Sequence, residues 1–164
     1  MYWQVYLHRT VLSAEHMLML VLNRAKHLAR QGVAVFASPA LSLFLHDDLD
    51  RAKFLADPDV LERFCELDDS DIFVAMKSWR HHEDRVLALL SQRLLDRGLF
   101  RIELRPEPFT EADVAERVQA TADALGFTLE EASFLVSNAR IDNKAYVPTV
   151  SYTHLTLPTK SSGG

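Results

Sequence analysis

The sequence predicts a mostly α fold: a helical array led by one long N-terminal helix, with a small C-terminal β-α-β subregion (α+β). Residues 1–32 contain no proline, and their one glycine, Gly32, comes last, where a helix C-cap favours it. Further runs with helical spacing follow as far as Gly98, and strand-like runs appear only from Leu99 onward. The long helix is expected to bury one apolar face, made of Val11, Ala14, Leu18, Val21, Ala25 and Leu28.

Capping patterns mark the shorter helices. Ser38-Pro39 and Asp57-Pro58 each combine an N-cap residue with a proline at the first helical position. A cap within 68–71 and the periodic run 85–97 predict two more helices, and residues 47–57 are predicted to form turns with a short helix around Phe54. The expected inward residues are Val60, Leu61, Phe64, Leu67, Ile72, Phe73, Ala75, Met76, Trp79, Val86, Leu89, Leu90 and Leu94.

The β-α-β subregion is predicted from residues 99–141. Leu99 to Leu104 is typical of a strand, a capping box at Thr110 to Asp113 opens a helix that Gly126 ends, and 134–141 is the second predicted strand. This part lacks a glycine-rich phosphate loop, so we assign it to packing or assembly. The predicted domains are a helical part, 1–98, a small α/β extension, 99–147, and a disordered or artefactual tail, 148–164.

Composition excludes several classes of protein. The 164 residues carry a net charge of −5, 48% are hydrophobic, and no basic stripe stands out, so no nucleic-acid partner is expected. No apolar run has the ~18 residues of a membrane span, and no signal peptide is recognisable. The lone cysteine, Cys65, is expected to be a buried structural thiol in a cytoplasmic protein.

A polar and aromatic stripe begins the long helix. Its members share one face through three- and four-residue steps: Tyr2, Tyr6, Arg9, Ser13 and His16. Such residues can anchor the helix start to a core, and spacing alone favours that interpretation. They also suit a wall that contacts a sugar, a base or a phosphate.

The run YWQVYLHRTVLSAEHML, followed by AKHLARQG and FCELDDSDIFVAMKSW, resembles bacterial HD-domain phosphohydrolases, and within them the deoxynucleoside triphosphate triphosphohydrolase branch. The resemblance covers about residues 1–147. It implies that Tyr6 lines the substrate pocket; with Tyr2 of the same stripe and Arg9, it is expected to bind substrate, and His8 is expected to contact a regulatory nucleotide or another subunit. Arg9 stands where the family has a lysine, which keeps the charge and changes its geometry.

The resemblance also implies a parent enzyme that is longer than this chain. The family's metal ligands (a His, a His-Asp pair and a later Asp) precede the tyrosine helix, with which this chain begins. We therefore expect a C-terminal fragment without catalytic residues, metal or other cofactor of its own, and a divalent metal in the parent. The parent would be a homo-oligomer that binds nucleotide through its N-terminal part. The alternative is a non-catalytic helical protein-interaction module.

Two other groups of metal-ligating residue types are present. His46-Asp47 is a literal HD dipeptide, and residues 81–84 read His-His-Glu-Asp. A metal centre needs three or four converging ligands with supporting hydrogen bonds. His46-Asp47 follows the tyrosine helix, whereas the family's pair precedes it, and Glu83 and Asp84 suit the first turn of the next helix. Both groups are therefore expected to be solvated surface.

The C-terminal residues have a different character. Val150 to Thr159, VSYTHLTLPT, resembles one reading frame of a transposon-derived sequencing adapter. The segment has little apolar content to offset the entropy of ordering it. We expect it to be extended and weakly packed, with the fold ending near Tyr146 or Val147.

Overall fold

The computed structural model describes residues 9–105, 107–142 and 150–156. Helices dominate, and the predicted mostly α fold is confirmed. In chain order the elements are α1 (Arg9–Arg30), α2 (Pro39–His46), α3 (Arg51–Ala56), α4 (Pro58–Glu66), α5 (Asp69–Trp79), α6 (Arg85–Leu95), β1 (Arg101–Arg105), α7 (Glu111–Leu125), α8 (Leu129–Ser133), β2 (Ser137–Asp142) and β3 (Val150–Thr156). None of the described helices combines the length and the hydropathy of a membrane span.

Local sequence signals set most helix ends. The Ser38 and Asp57 side chains cap α2 and α4, each before a proline. Asp68 and Thr110 form capping boxes at α5 and α7. Gly126 follows α7 with φ of +62°, a conformation that glycine adopts without a Cβ penalty.

The chain forms two compact units. One contains the described residues up to Leu20 together with those from Arg97 onward, and the other is Val21–Asp96. Helix α1 contributes its first part to one unit and the remainder to the other. The domain boundary predicted between residues 98 and 99 stays a prediction.

The core of the Val21–Asp96 unit lies around Trp79, which is fully buried. Its indole Nε1 donates a hydrogen bond to the Phe36 carbonyl at 2.8 Å, which ties the segment after α1 to the end of α5. Helices α1 and α6 supply further residues that are no more than 5% exposed: Val21, Ala25, Leu28, Val86, Leu87 and Leu90. Burial of such side chains is the main stabilising contribution to a helical core.

The other unit contains a three-stranded sheet with the order β1-β3-β2. Strand β3 lies in the middle and is antiparallel to both neighbours, with Ile102 of β1 and Ser137 of β2 both opposite Leu155. Two helices, α7 and α8, come between β1 and β2 in the chain. Strand β2 begins at Ser137, three residues later than the predicted strand 134–141. The predicted β-α-β order is therefore incomplete, since a third strand completes the sheet.

The tail prediction is wrong in part for residues 150–156, which are extended as expected but do not lie beyond the end of the fold. These residues form the central strand, and the fold therefore continues past Tyr146 and Val147. Main-chain hydrogen bonding does not require an apolar sequence, which is why composition underestimates this segment. Residues 148–149 and 157–164 lie outside the described residues, and the adapter-like origin of the segment is untested.

Four expectations about burial also need correction. Val11 is 45% exposed, and Leu12 and Met17 are buried in the first half of α1, so the apolar face there is rotated relative to the predicted one. On α4 only Val60 is buried, whereas Leu61 and Phe64 are exposed. Cys65 is exposed as well, because α4 packs through a narrower face than its sequence suggests. Phe73 on α5 is also exposed.

Candidate functional site

The site predicted at the start of the long helix falls only partly within the described residues. Tyr2, Tyr6 and His8 lie outside them. Arg9 is the first residue of α1, and its side chain is exposed. An exposed guanidinium can meet an anionic ligand at this end of the helix.

The next stripe residue, Ser13, has a structural role. It is 2% exposed, and its Oγ donates a hydrogen bond to the Phe100 carbonyl at 2.8 Å. Met17 lies one turn further along α1, and its Sδ accepts the Phe100 N–H at 3.1 Å. The main-chain N–H and C=O of Phe100, just before β1 begins, are thus both hydrogen-bonded to side chains of α1. The stripe is therefore divided, with an exposed cation at its start and a buried anchor one turn later.

His16, the last stripe residue, is half-buried. Burial lowers the pKa of its imidazole below the ordinary value of 6.5, while the adjacent Glu15 carboxylate acts in the opposite direction. The neutral imidazole is therefore the form that the folded protein favours.

This preference predicts a pH dependence of stability. The folded-state pKa lies below the unfolded-state value, so the unfolded chain binds the proton first as pH falls. The contribution of His16 to the free energy of unfolding is fully present above about pH 6.5, and it is lost as pH falls through the folded-state pKa. We expect His16→Gln to reduce the difference in unfolding free energy between pH 7.5 and pH 5.5, measured by urea denaturation. An unchanged difference would contradict the assignment.

A largely buried ion pair lies between α1 and α6, and it is not among the contacts predicted from the sequence. Arg24 of α1 is 7% exposed and makes two hydrogen bonds to Asp84, from Nε to Oδ1 at 3.1 Å and from Nη2 to Oδ2 at 2.7 Å. Asp84 also caps α6, because its Oδ1 accepts the Leu87 N–H at 2.8 Å. One carboxylate thereby fastens α1 to the start of α6.

His82 extends this cluster. Its Nδ1 lies 2.9 Å from the Asp84 amide nitrogen and accepts that N–H, and its Nε2 lies 3.0 Å from the Ala34 carbonyl. A neutral imidazole with the proton on Nε2 satisfies both contacts at once. The expectation of solvated surface is therefore wrong for His82 and Asp84, whereas His81 and Glu83 are exposed.

Asp84 is charged under ordinary conditions. Burial alone would raise the pKa of its carboxyl, but hydrogen bonds from Arg24 and from the Leu87 N–H, with the positive charge of Arg24, outweigh burial and lower the pKa. A sequence signal for the pair does exist, since Arg24 lies between Val21 and Ala25 on the apolar face of α1. A buried arginine at such a position requires a partner.

A second ion pair, with a cation–π contact, lies in the sheet-containing unit. The Arg105 guanidinium stacks on the Phe109 ring at 3.7 Å from its centroid, and Nη2 lies 2.5 Å from the Asp113 carboxylate at the start of α7. Hydrogen bonds from Arg105 and Thr110 hold the pKa of Asp113 well below its usual range. These residues join β1 to α7 and leave no carboxylate among them poised for acid–base chemistry.

His46 and Asp47 are both exposed at the end of α2. His46 Nδ1 lies 2.9 Å from the Ser42 carbonyl one turn earlier. His46 lines an open cleft of about 410 Å³ together with Asp57, Asp59 and Arg63. Arg63 forms an ion pair with Glu66 at 2.8 Å. Within residues 9–105, 107–142 and 150–156, no three His, Cys, Asp or Glu side chains converge as metal ligands. The described residues therefore do not fit a metal centre.

An aromatic cluster occupies the surface of the Val21–Asp96 unit. Phe44, Phe54 and Phe64 come from α2, α3 and α4, with ring centroids 5.6–6.2 Å apart. Phe64 is 53% exposed, and the neighbouring Leu61 on α4 is 51% exposed. An exposed cluster of this kind is more typical of a contact surface than of a catalytic cleft.

Comparison with solved structures finds a close match. The fold resembles the crystal structure of a phosphohydrolase from Bacteroides thetaiotaomicron, with a TM-score of 0.88 and 36% sequence identity. The match covers 96% of this chain and 47% of that protein. The fold thus resembles part of that phosphohydrolase, and the chain spans about half the length of this relative.

A curated relative matches in sequence. YwfO of Bacillus subtilis, described as an uncharacterized protein, is 34% identical over 107 residues, which is 65% of this chain and 23% of that protein. No family model matches the chain.

Proposed function

We propose that this chain is the C-terminal portion of a metal-dependent HD-type nucleotide phosphohydrolase that acts on deoxynucleoside triphosphates. The observation that carries the proposal is the likeness to the Bacteroides phosphohydrolase, in which the match extends over nearly the whole of this chain. In that assignment the chain supplies a nucleotide-pocket helix and an assembly surface. The residues that bind the metal would belong to the other part of the enzyme.

The N-terminal residues up to the start of α1 would form one wall of the nucleotide pocket. Tyr2 and Tyr6 would contact the sugar or the base, and Arg9, which is exposed, would meet phosphate oxygens. His8 would contact a regulatory nucleotide or a neighbouring subunit. Ser13 and Met17 support this wall, because they fix α1 to the peptide unit that precedes β1.

We expect the 164-residue chain by itself to be catalytically inert. The purified chain, incubated with deoxynucleoside triphosphates and Mg²⁺ or Mn²⁺, should release no phosphate products above a mock preparation. The reason is that metal-dependent hydrolysis needs three or more converging ligands, which the proposal places in the other part of the enzyme. Activity that copurifies with the chain and disappears on chelation would contradict the proposal.

A joined polypeptide provides the positive arm of this experiment. It places the part of the Bacteroides phosphohydrolase that has no counterpart here before Met1 of this chain. Under the proposal it hydrolyses the same nucleotides as the intact Bacteroides protein, which serves as the matched control. A folded, metal-loaded joined protein without activity on nucleotides that the control hydrolyses would overturn the assignment.

The second candidate function is a non-catalytic helical interaction module. The partly exposed cluster of Phe44, Phe54 and Phe64 is the observation that favours it. If the chain is an interaction module, Phe64→Ser would abolish complex formation, and the joined protein would have no hydrolytic activity. If the chain is part of a phosphohydrolase, the joined protein would be active, and Phe64→Ser would change its assembly without changing its hydrolytic activity.

A further inference from the structure

Helices α3 and α4 bury very little of their surface. No residue of α3 is buried, and α4 buries Val60 alone. Yet α4 has an apolar strip with the three- and four-residue spacing of a core face, and its members Leu61, Phe64 and Cys65 are all exposed. Helices in proteins gain most of their stability by packing such a face against other residues. The strip therefore has the character of an uncovered contact surface.

The phenylalanine cluster extends this strip beyond α4. Phe64 belongs to both, since its ring centroid lies 6.1 Å from that of Phe44 on α2 and 5.6 Å from that of Phe54 on α3. Phe44 and Phe54 are each half-buried, so they support the more exposed Phe64 ring from two sides. Aromatic side chains with few rotatable bonds are enriched in protein interfaces.

The chain around this surface is strongly acidic. Residues 47–71 contain ten Asp and Glu but three Lys and Arg, a net charge of −7, whereas the rest of the chain carries +2. Nine of these ten acidic side chains are exposed. Within the part of the chain that the structure describes, Asp48 and Glu66 are the two of the ten that form ion pairs. This excess of carboxylates attracts a cationic surface.

We propose that the α4 strip, with the phenylalanine cluster, is the docking site for a basic amphipathic helix of a partner protein. A helix matches the strip because its apolar side chains recur every three or four residues, as Leu61, Phe64 and Cys65 do. The apolar face of the guest helix covers the strip, and its Lys and Arg residues face the carboxylates of residues 47–71.

The test uses the full chain and a synthetic basic helix of about 18 residues, with Leu at three- and four-residue spacing and Lys on the opposite face. Fluorescence anisotropy measures its binding. We expect it to bind at least about tenfold more tightly than a scrambled peptide of the same composition, and than a peptide with Glu in place of each Lys. Binding should weaken as salt rises, because salt screens the charges. Equal binding of all three peptides would overturn the inference.

Two variants test whether the strip is the site. Leu61→Ser and Phe64→Ser remove apolar side chains that are 51% and 53% exposed, and each should weaken binding of the basic helix at least about tenfold. Leu129→Ser is the matched control, because Leu129 is 54% exposed and belongs to the other unit, and it should bind as wild type does. Wild-type binding by both strip variants would show that the helix docks elsewhere.

Cys65 reports on the same surface without any mutation, since it is the only cysteine in the chain. Saturating basic helix should slow the reaction of Cys65 with a maleimide at least about tenfold on the wild-type chain. An unchanged rate would contradict docking on the strip, even if the serine variants fail to fold.

The Cys65 reaction also distinguishes the other occupants. A wild-type chain that sediments as a dimer, with Cys65 protected before any peptide is added, would assign the strip to a second copy. Protection of Cys65 in the joined protein would assign it to the other part of the enzyme. Either result would overturn the assignment to a partner protein. Hydrolysis by the joined protein is a separate measurement, so the proposed function can fail without this inference, and the reverse.

Discussion

Asp84→Ala is expected to destabilise the protein by about 3–5 kcal/mol, because it breaks a largely buried ion pair by removing one partner. Arg24 would lose two hydrogen bonds, of 3.1 and 2.7 Å, and α6 would lose the side chain that caps it. The side chains of Arg24 and Asp84 are 9% and 14% exposed, so water replaces the lost contacts poorly. The change is measured as the free energy of unfolding in urea.

Two variants separate the contributions to this effect. Asp84→Asn keeps an oxygen that can cap α6, so its loss should be smaller than that of Asp84→Ala by about 1 kcal/mol. Glu83→Ala changes the exposed neighbouring carboxylate and should stay within about 0.5 kcal/mol of wild type. An Asp84→Ala protein as stable as Glu83→Ala would show that the pair does not hold α1 to α6.

Deletion of residues 150–164 is expected to unfold the sheet. It removes five registered pairs with β1 and six with β2, and no other described strand connects those two. At roughly 0.5–1.5 kcal/mol for each main-chain hydrogen bond, the loss is on the order of 5 kcal/mol or more, comparable with the whole stability of many domains. Hydrogen exchange should show 101–105 and 137–142 unprotected.

Deletion of residues 157–164 alone is the matched control, and it should leave the melting temperature essentially unchanged. The amino-acid composition alone predicts an unchanged melting temperature for deletion of residues 150–164 as well. A melting temperature that is unaffected by loss of 150–164 would restore the prediction of a weakly packed tail and would remove β3 from the fold.

Local sequence signals predict where several helices begin. Proline after a capping residue locates the starts of α2 and α4, and a Thr-Asp capping box locates that of α7. Each of these signals depends on residues within one helical turn, so spacing alone is sufficient to find it.

Long-range features escape prediction for a corresponding reason. Arg24 and Asp84 are 60 positions apart, and nothing in either local sequence identifies the other. Strand β3 gains its partners from β1 and β2, so its own weak pattern carries no signal of a central strand. Phe64 has helical spacing typical of a core residue, yet α4 leaves it 53% exposed.

The candidate site shows the same division. Helical periodicity places Arg9, Ser13 and His16 on one stripe, and the three residues do lie on α1. It does not predict that Ser13 is engaged by the Phe100 carbonyl, because that contact joins residues 87 positions apart. The nucleotide-binding role of Tyr2, Tyr6 and Arg9 stays a prediction.

The most direct test of the proposed function is the kcat/KM of Tyr6→Ala in the joined phosphohydrolase, measured beside its metal content. Loss of one stacking or hydrogen-bonding contact to the nucleotide should lower kcat/KM roughly 5- to 150-fold, equivalent to about 1–3 kcal/mol, with the metal content unchanged. Val11→Ala, at an exposed position of α1, should leave kcat/KM unchanged. A folded Tyr6→Ala protein with wild-type kcat/KM would contradict the proposal that the N-terminal residues line the nucleotide pocket.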